Sequence, residues 1–523
     1  MNAPRTRREF LTTVGQGMLV ASVGATLARD LGLSRALGDE PADTLSFGPL
    51  EPLVTLMQET PPARLMPTLV ERLQSGDSLQ TLLAAGALAN ARTFGGEDYV
   101  GFHTMMALAP AFYMSRELPE ARRPLPVFKV LYRNTNRIHE HGGRPSEVLR
   151  PVASDPAASS GSVGEALRSA VRAKDLNKAE QTFAAAALNR SAQEAFNDLL
   201  YAVEDGIDVH RVVLPYRAYD LLGLIGREHA HTLLRQSIHY CVQNEDRTSS
   251  SRRDAPRALL PKLLEQYHLL DRSPGDRVAD DAWVDAMSQT LAKASPEAAA
   301  DAVAAALAEG FTPDALGEAM SLAANQLVLR DAGRMAREES TGKPIGSVHG
   351  DSIGVHACDS ANAWRNMARV GTPRNVFACL ILGAYQVALD RDGRGPGNEH
   401  WEPQPVAYQL SRVKDVTDPA SLLGDLDEAI RGNLQARATA VTHRYSELGL
   451  DPRPVFDLLL KYATSEDGAL HAEKYYRTVS EEFATTRPAF RGRQLIALAR
   501  VTASEYGRKA AGYAEACELL NVT

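Results

Sequence analysis

The stretch from Val209 to Cys241, VHRVVLPYRAYDLLGLIGREHAHTLLRQSIHYC, holds four of the chain's thirteen histidines, at positions 210, 229, 231 and 239. Imidazole is the commonest metal ligand and the side chain that titrates nearest neutrality, so a histidine-dense helical pair is where metal or acid–base chemistry is expected first. A second concentration begins in the glycine-rich segment 339–354, ESTGKPIGSVHGDSIG, which carries His349 and Asp351 and runs into VHACDSANAWRNMARVG. Irregular polar segments that feed a helix start are frequent functional sites, because a helix N-terminus favours anions and a rigid scaffold positions the loop.

Spacing sorts these candidates. Glycines at 350 and 354 make His349 a loop residue, whereas His356, Asp359 and Asn362 fall at i, i+3 and i+6 of the following helix. Such a stripe either lines a pocket or faces water. His231 and His239 are eight apart, about 80° of helical rotation, and can border one groove. Arg235, one turn before His239, is expected to lower its proton affinity and favour the neutral, metal-binding form. His103 in GFHTMMALAPAF and His210 in DVHRVVLPYRAY each sit at the N-terminal edge of an apolar helix. A repeat that builds one site from several helix ends would give this recurrence, and a cap or core histidine is the competing reading. His139 and His141 close a helix, where a cation meets the C-terminal dipole. His268, His400, His443 and His471 stand alone and are assigned no role. The candidate ligands are therefore His103, His210, His231, His239, His349 and His356, with Arg235 and Asp359 as catalytic groups that tune them.

Other chemistries lack a motif. No His-Glu-x-x-His, G-x-G-x-x-G, G-x-x-x-x-G-K-[ST] or G-x-S-x-G occurs, so zincin, nucleotide-cofactor and serine-hydrolase readings have no support. The formal net charge of −8 and the lack of a basic stripe argue against a nucleic-acid partner. Cys241, Cys358, Cys379 and Cys517 are too widely spaced for a zinc knuckle or haem attachment and read as small apolar residues. Acidic pairs such as Glu338-Glu339 and Glu481-Glu482 read as solvated faces, and Tyr475-Tyr476 and Trp364 as packing.

The elements that must position these residues are helical. Leu79 to Arg92, Asn177 to Asn189 and Pro296 to Glu309 are alanine-rich with apolar residues three and four apart, and alternating β-branched runs are almost absent. The expected fold is all-α, an array of degenerate helical repeats packed into one or two α-helical domains. Three blocks, 66–141, 164–243 and 284–390, each open with an alanine-rich helix. Pro124-Leu-Pro-Val-Phe-Lys-Val-Leu131 in the first matches Pro373-Arg-Asn-Val-Phe-Ala-Cys-Leu380 in the third. Ancestral repetition and the shared 3.6-residue period of any helix remain alternative explanations. Segments 153–164, 244–256 and 390–405 are rich in Ser, Gly, Pro and charge and are expected to be loops. At the N-terminus, Arg7-Arg8 precedes Phe10-Leu11 and a modest apolar run from Val14 to Leu27, the order of a twin-arginine export signal. The expected division is a signal at 1–38, an N-terminal helical part at 39–275 and a C-terminal part at 276–523. Export through the twin-arginine translocation machinery would deliver a folded protein to the periplasm or beyond.

Three pieces, FHTMMALAP (102–110), GREHAHTLLRQSIHY (226–240) and GVHACDSANAWR (354–365), resemble the histidine-bearing helices of the questin oxidase-like family, all-helical proteins linked to oxygen-dependent ring cleavage of aromatic polyketides. The three pieces together span 36 residues, and they depart from the family in histidine spacing. It implies a pocket lined by His103, His231, His239 and His356, with a bound metal or cofactor. Two functions follow as expectations. One is an exported metal-dependent oxidoreductase, iron or copper rather than zinc, acting on a small, aromatic molecule. The other is a non-catalytic helical-repeat scaffold that binds another exported protein.

Overall fold

A computed structural model of the chain describes residues 44–154, 162–392 and 402–522. The export signal expected at 1–38, and with it any cleavage point, lies outside the described residues. Among the described residues the fold is all-α, with 23 α-helices, no strand and a few isolated bridges. None of the described helices is long and apolar enough to cross a membrane.

The alanine-rich segments form helices for the reasons their composition gives. Helix α1 (Leu79–Phe94) starts at Ser78, whose hydroxyl accepts the Thr81 amide, and ends at Gly95 in the left-handed region. Both ends thus satisfy backbone groups that the helix itself leaves unpaired. From Leu82 onward every residue of α1 is buried, which its run of alanines allows without crowding. Helices α2 (Tyr99–Glu117), α3 (Leu176–Asn189), α4 (Val209–Ile225) and α5 (Ala230–Gln243) follow, with a short 3₁₀ turn at Arg227–His229 joining the last two. That junction falls at Gly226, whose φ of 117° suits glycine alone.

Two compact units divide the chain, and they are not consecutive stretches. Of the described residues, the first takes those up to Ala109 and those within 131–206 and 214–249; the second takes Pro110–Val130, Ile207–Val213 and those from Ser250 on. In the first, α5 packs on α1 and α3. The second is organised around α6 (Pro313–Leu329), α7 (Ile353–Val370) and α8 (Pro373–Asp392), with α7 packed between the other two. Helices α9 (Gln435–Glu447), α10 (His471–Thr485) and α11 (Arg491–Glu505) complete it; α10 lies against α7 and α11. Pro124 and Pro373 both open a helix, and the Val-Phe and Leu that follow each are buried.

One expected loop is helix in its second half. Within 244–256, a helix already runs from Ser250 to Gln266 with Pro256 and Pro261 inside it. Proline in a helix interior leaves the carbonyl four residues back without its partner. The Arg252 carbonyl orphaned in this way by Pro256 accepts the Ile207 amide at 2.6 Å, so tertiary structure supplies the bond the helix cannot.

Candidate functional site

In the first unit the carboxylates come to the histidine. His239, on α5, has Nδ1 2.8 Å from Glu97 Oε1 and Nε2 2.7 Å from Glu180 Oε1. Both carboxylates can only accept, so both ring nitrogens donate and the side chain is an imidazolium. Burial works against this charge, but the hydrogen bonds to Glu180 and Glu97 outweigh it and raise the His239 pKa. The neutral form expected from the proximity of Arg235 is therefore corrected. Arg235 does oppose the charge, yet it spends its guanidinium on Glu180, 3.2 Å away, and on the Arg150 carbonyl at 2.7 Å. As bonded here, His239 has no lone pair for a metal, and Arg235 is a structural cation.

The other two candidates of this unit pack against rings. His103 donates from Nδ1 to the Tyr99 carbonyl of its own helix at 2.7 Å and packs against the rings of Tyr99 and Phe102. His231 stacks on Phe183 with ring centroids 6.0 Å apart.

The second unit brings three histidines together, one of them unforeseen. His210 is the second residue of α4, His356 lies in the first turn of α7, and His471 begins α10. The Nε2 atoms of His356 and His471 stand 3.3 Å apart, and the His210 ring centroid is 6.0 Å from that of His356. His471 is buried, while His210 and His356 keep partial exposure. Burial drops the His356 pKa to about 3, helped by His210 and Lys474, and burial drops that of His210 to about 4. Both rings are thus neutral near pH 7, the form that offers a lone pair.

The surroundings fix this trio. Ser352 caps α7 by accepting the Val355 amide, which sets the turn that carries His356. Gly350 just upstream is pressed against α10, where an added Cβ would sit 2.3 Å from the Cβ of His471. Its amide donates to Glu505 on α11 at 2.7 Å, and burial raises that carboxyl to about 7. Lys129 reaches in to pair with Glu473 at 2.7 Å. His349, the remaining candidate, is buried in the loop ahead of Gly350, with a pKa lowered to about 4 by burial.

Below the histidines the polar stripe of α7 is neither a pocket lining nor a wet face. Asp359 accepts from Thr478 at 2.7 Å, Asn362 donates to Glu482 at 2.8 Å, and Arg365 pairs with Glu482 at 2.5 Å. Asp359 is a helix-to-helix contact in this arrangement, and Glu482, expected to be solvated, is buried. Trp364, Tyr475 and Tyr476 are packing residues, all buried, and none of the four cysteines forms a disulfide among the described residues, three of them being buried.

The six candidate ligands divide evenly, with His103, His231 and His239 in the first unit and His210, His349 and His356 in the second. Among the described residues, no group of three or more His, Cys, Asp or Glu side chains is arranged to hold a metal ion. Sequence reasoning missed His471, Glu505, Glu97 and Glu180. The one local signal was at His471, where a Gly-Ala-Leu break precedes a helix start. Comparison with known proteins adds nothing to the geometry: no family model matches the chain, and no curated protein and no solved structure matches it.

Proposed function

We propose that the chain is a metal-dependent oxidoreductase of oxidase type whose reaction centre is the histidine group of the second unit. The observation that carries this reading is the 3.3 Å between His356 Nε2 and His471 Nε2. Two imidazole nitrogens held at roughly 2.0–2.1 Å from one metal in tetrahedral geometry stand about 3.3 Å apart. His356 and His471 would hold the metal, with His210 the third imidazole of the group. Iron and copper are favoured over zinc because the reading calls for redox chemistry, which the metal would supply when bound. The chain's own part is to keep the rings neutral by burial and to fix them through Gly350 and the Ser352 cap. Resemblance of GVHACDSANAWR, which contains His356, to the questin oxidase-like helices supports a small aromatic substrate. Export by the twin-arginine route belongs to the same reading, since that route carries proteins folded around a cofactor.

Elemental analysis of untagged protein tests it, together with a His356→Ala, His471→Ala double variant checked for folding by circular dichroism. About one equivalent of iron or copper, lost in the double variant, is the expected result. Metal-free protein, or metal that the double variant retains, would overturn the reading in favour of the scaffold that binds an exported partner.

A further inference from the structure

His239 ties together three elements of the first unit. It projects from α5, while Glu180, 2.7 Å from its Nε2, stands on α3, and Glu97, 2.8 Å from its Nδ1, stands in the turn at 95–98 between α1 and α2. The two carboxylates are not held alike. Glu180 is 13 % exposed and has Arg235 beside it at 3.2 Å, so its charge stays compensated whatever the ring does. Glu97 is 29 % exposed, and the amide of Gln243, its further partner, is neutral. His231, on the same helix as His239, also faces Glu180. On the elements packed against α5, Arg92 pairs with Glu51 and Glu147, Arg168 with Glu204, Arg172 with Asp205 and Asp198 with Arg190, while Glu165, Lys178 and Glu194 are exposed.

The turn holds Glu97 between two anchored points. Gly95 and Gly96 both have left-handed backbone, with φ of 56° and 85°, and Gly96 lies so close to α5 that an added Cβ would sit 2.2 Å from the Gln236 carbonyl oxygen. On the other side, Asp98 accepts the Gly101 amide at 2.7 Å and pairs with Arg137 at 2.6 Å. The Glu97 carboxylate can therefore swing to water with both anchors in place. The turn is then held to α5 by one contact fewer.

A neutral imidazole has one N–H and one lone pair. With a carboxylate against each ring nitrogen, loss of a proton turns one of the two hydrogen bonds into a meeting of lone pairs, and one carboxylate must withdraw. Glu97, the more exposed of the two and the one without an arginine, loses less by doing so. We propose that His239 is a pH-operated latch: doubly protonated, it fastens α3 and the 95–98 turn to α5, and on losing a proton it keeps Glu180 and releases Glu97 to water. Burial works against the charged ring, and the bonds to Glu180 and Glu97 outweigh it. The latch is thus closed below the ordinary histidine value of 6.5 and opens as pH rises through a higher one. It lies in the first unit and does not rest on the reaction centre of the second.

Two measurements on the full chain test it together. Nuclear magnetic resonance with isotope-labelled histidine, the His239 signal being assigned by its loss in His239→Gln, gives the midpoint of the ring. Hydrogen exchange corrected for intrinsic rates follows the amides of 95–101 and of 176–189 between about pH 5.5 and about pH 9.5. The midpoint is expected above 6.5. Protection at 95–101 is expected to fall about fivefold or more across that midpoint, the worth of about one hydrogen bond, while protection at 176–189 holds. Glu97→Gln replaces a partly exposed carboxylate by an amide of the same shape, which can bond the ring in either state, and its protection at 95–101 is expected to stay level with pH. A midpoint at or below 6.5, protection at 95–101 that does not change through the midpoint, loss at 176–189 in its place, or an equal fall in Glu97→Gln would overturn the latch.

Discussion

His356 and His471 lie 115 positions apart in the chain, and their Nε2 atoms meet at 3.3 Å. If the two rings act as one ligand pair, either alone is of little use. Metal affinity is expected to fall by about 100-fold or more in His356→Ala and in His471→Ala, and the double variant is expected to be scarcely worse than either. Metal titration of the three variants checks this. Losses that add, each residue contributing separately, would mean that the pair is a hydrogen bond between helices and not a shared site.

The Glu97–His239–Glu180 arrangement predicts a pH-dependent stability. His239 has a raised pKa, so its contribution is full below its ordinary value of 6.5 and is lost as pH rises through its folded-state value. Glu97 and Glu180 have lowered pKa values, so theirs is full above 4.5 and is lost as pH falls through their folded-state values. The combined effect is greatest between about pH 4.5 and 6.5. His239→Leu is expected to cost about 2 kcal/mol at pH 5.5, and less at pH 9, measured by denaturant melts at each pH. A cost independent of pH would rule out the charged arrangement.

Gly350 has no room for a side chain, and what it would strike is the Cβ of His471 rather than the end of a flexible group. Gly350→Ala must therefore move the loop or α10. Overpacking of this kind costs about 1–3 kcal/mol. Metal affinity at the His356–His471 pair is expected to fall together with thermal stability, and a fully stable Gly350→Ala protein would show that the loop can yield.

The helices were legible because their causes are local. Leu79–Phe94, Leu176–Asn189 and Pro296–Ala308 follow from alanine content, caps and the 3.6-residue period. The histidine group was only half legible. His210 and His356 stood out by their company in sequence, whereas His471 sits in HAEKYYRTVSEEF, whose charges on all sides suggest a solvated helix. The partners that bury those charges, Lys129 for Glu473 and Arg365 for Glu482, come from 344 and 117 positions away and leave no local trace. His239 was misjudged for the same reason. Its nearby Arg235 was visible, and the two distant carboxylates that dominate it were not.

The buried pair Arg365–Glu482 makes a prediction about fold alone. Both side chains are 3 % exposed, and Asn362 bonds the other Glu482 oxygen. Removing one member of such a pair leaves an uncompensated buried charge, which costs about 3–5 kcal/mol. Glu482→Ala is expected to lose stability in that range while metal affinity per folded molecule stays the same. Differential scanning calorimetry and a metal titration of the folded fraction separate the two.

Ala469 and Leu470, immediately before His471, both have left-handed backbone, with φ of 50° and 67°. A residue with a Cβ pays about 1–2 kcal/mol for that conformation, and two in succession directly ahead of a candidate ligand suggest that the strain is kept because it sets the direction in which α10 presents His471. Ala469→Gly relieves one of the two. It also frees the unfolded chain, which offsets part of the gain, so a net rise in stability of roughly 0.5–1 kcal/mol is expected. The same freedom lets the helix start wander, and affinity for iron or copper is expected to drop several-fold. Opposite signs in the denaturant melt and the metal titration would tie the strain to the site. A variant that is less stable, or one that gains stability with its metal affinity untouched, would detach it.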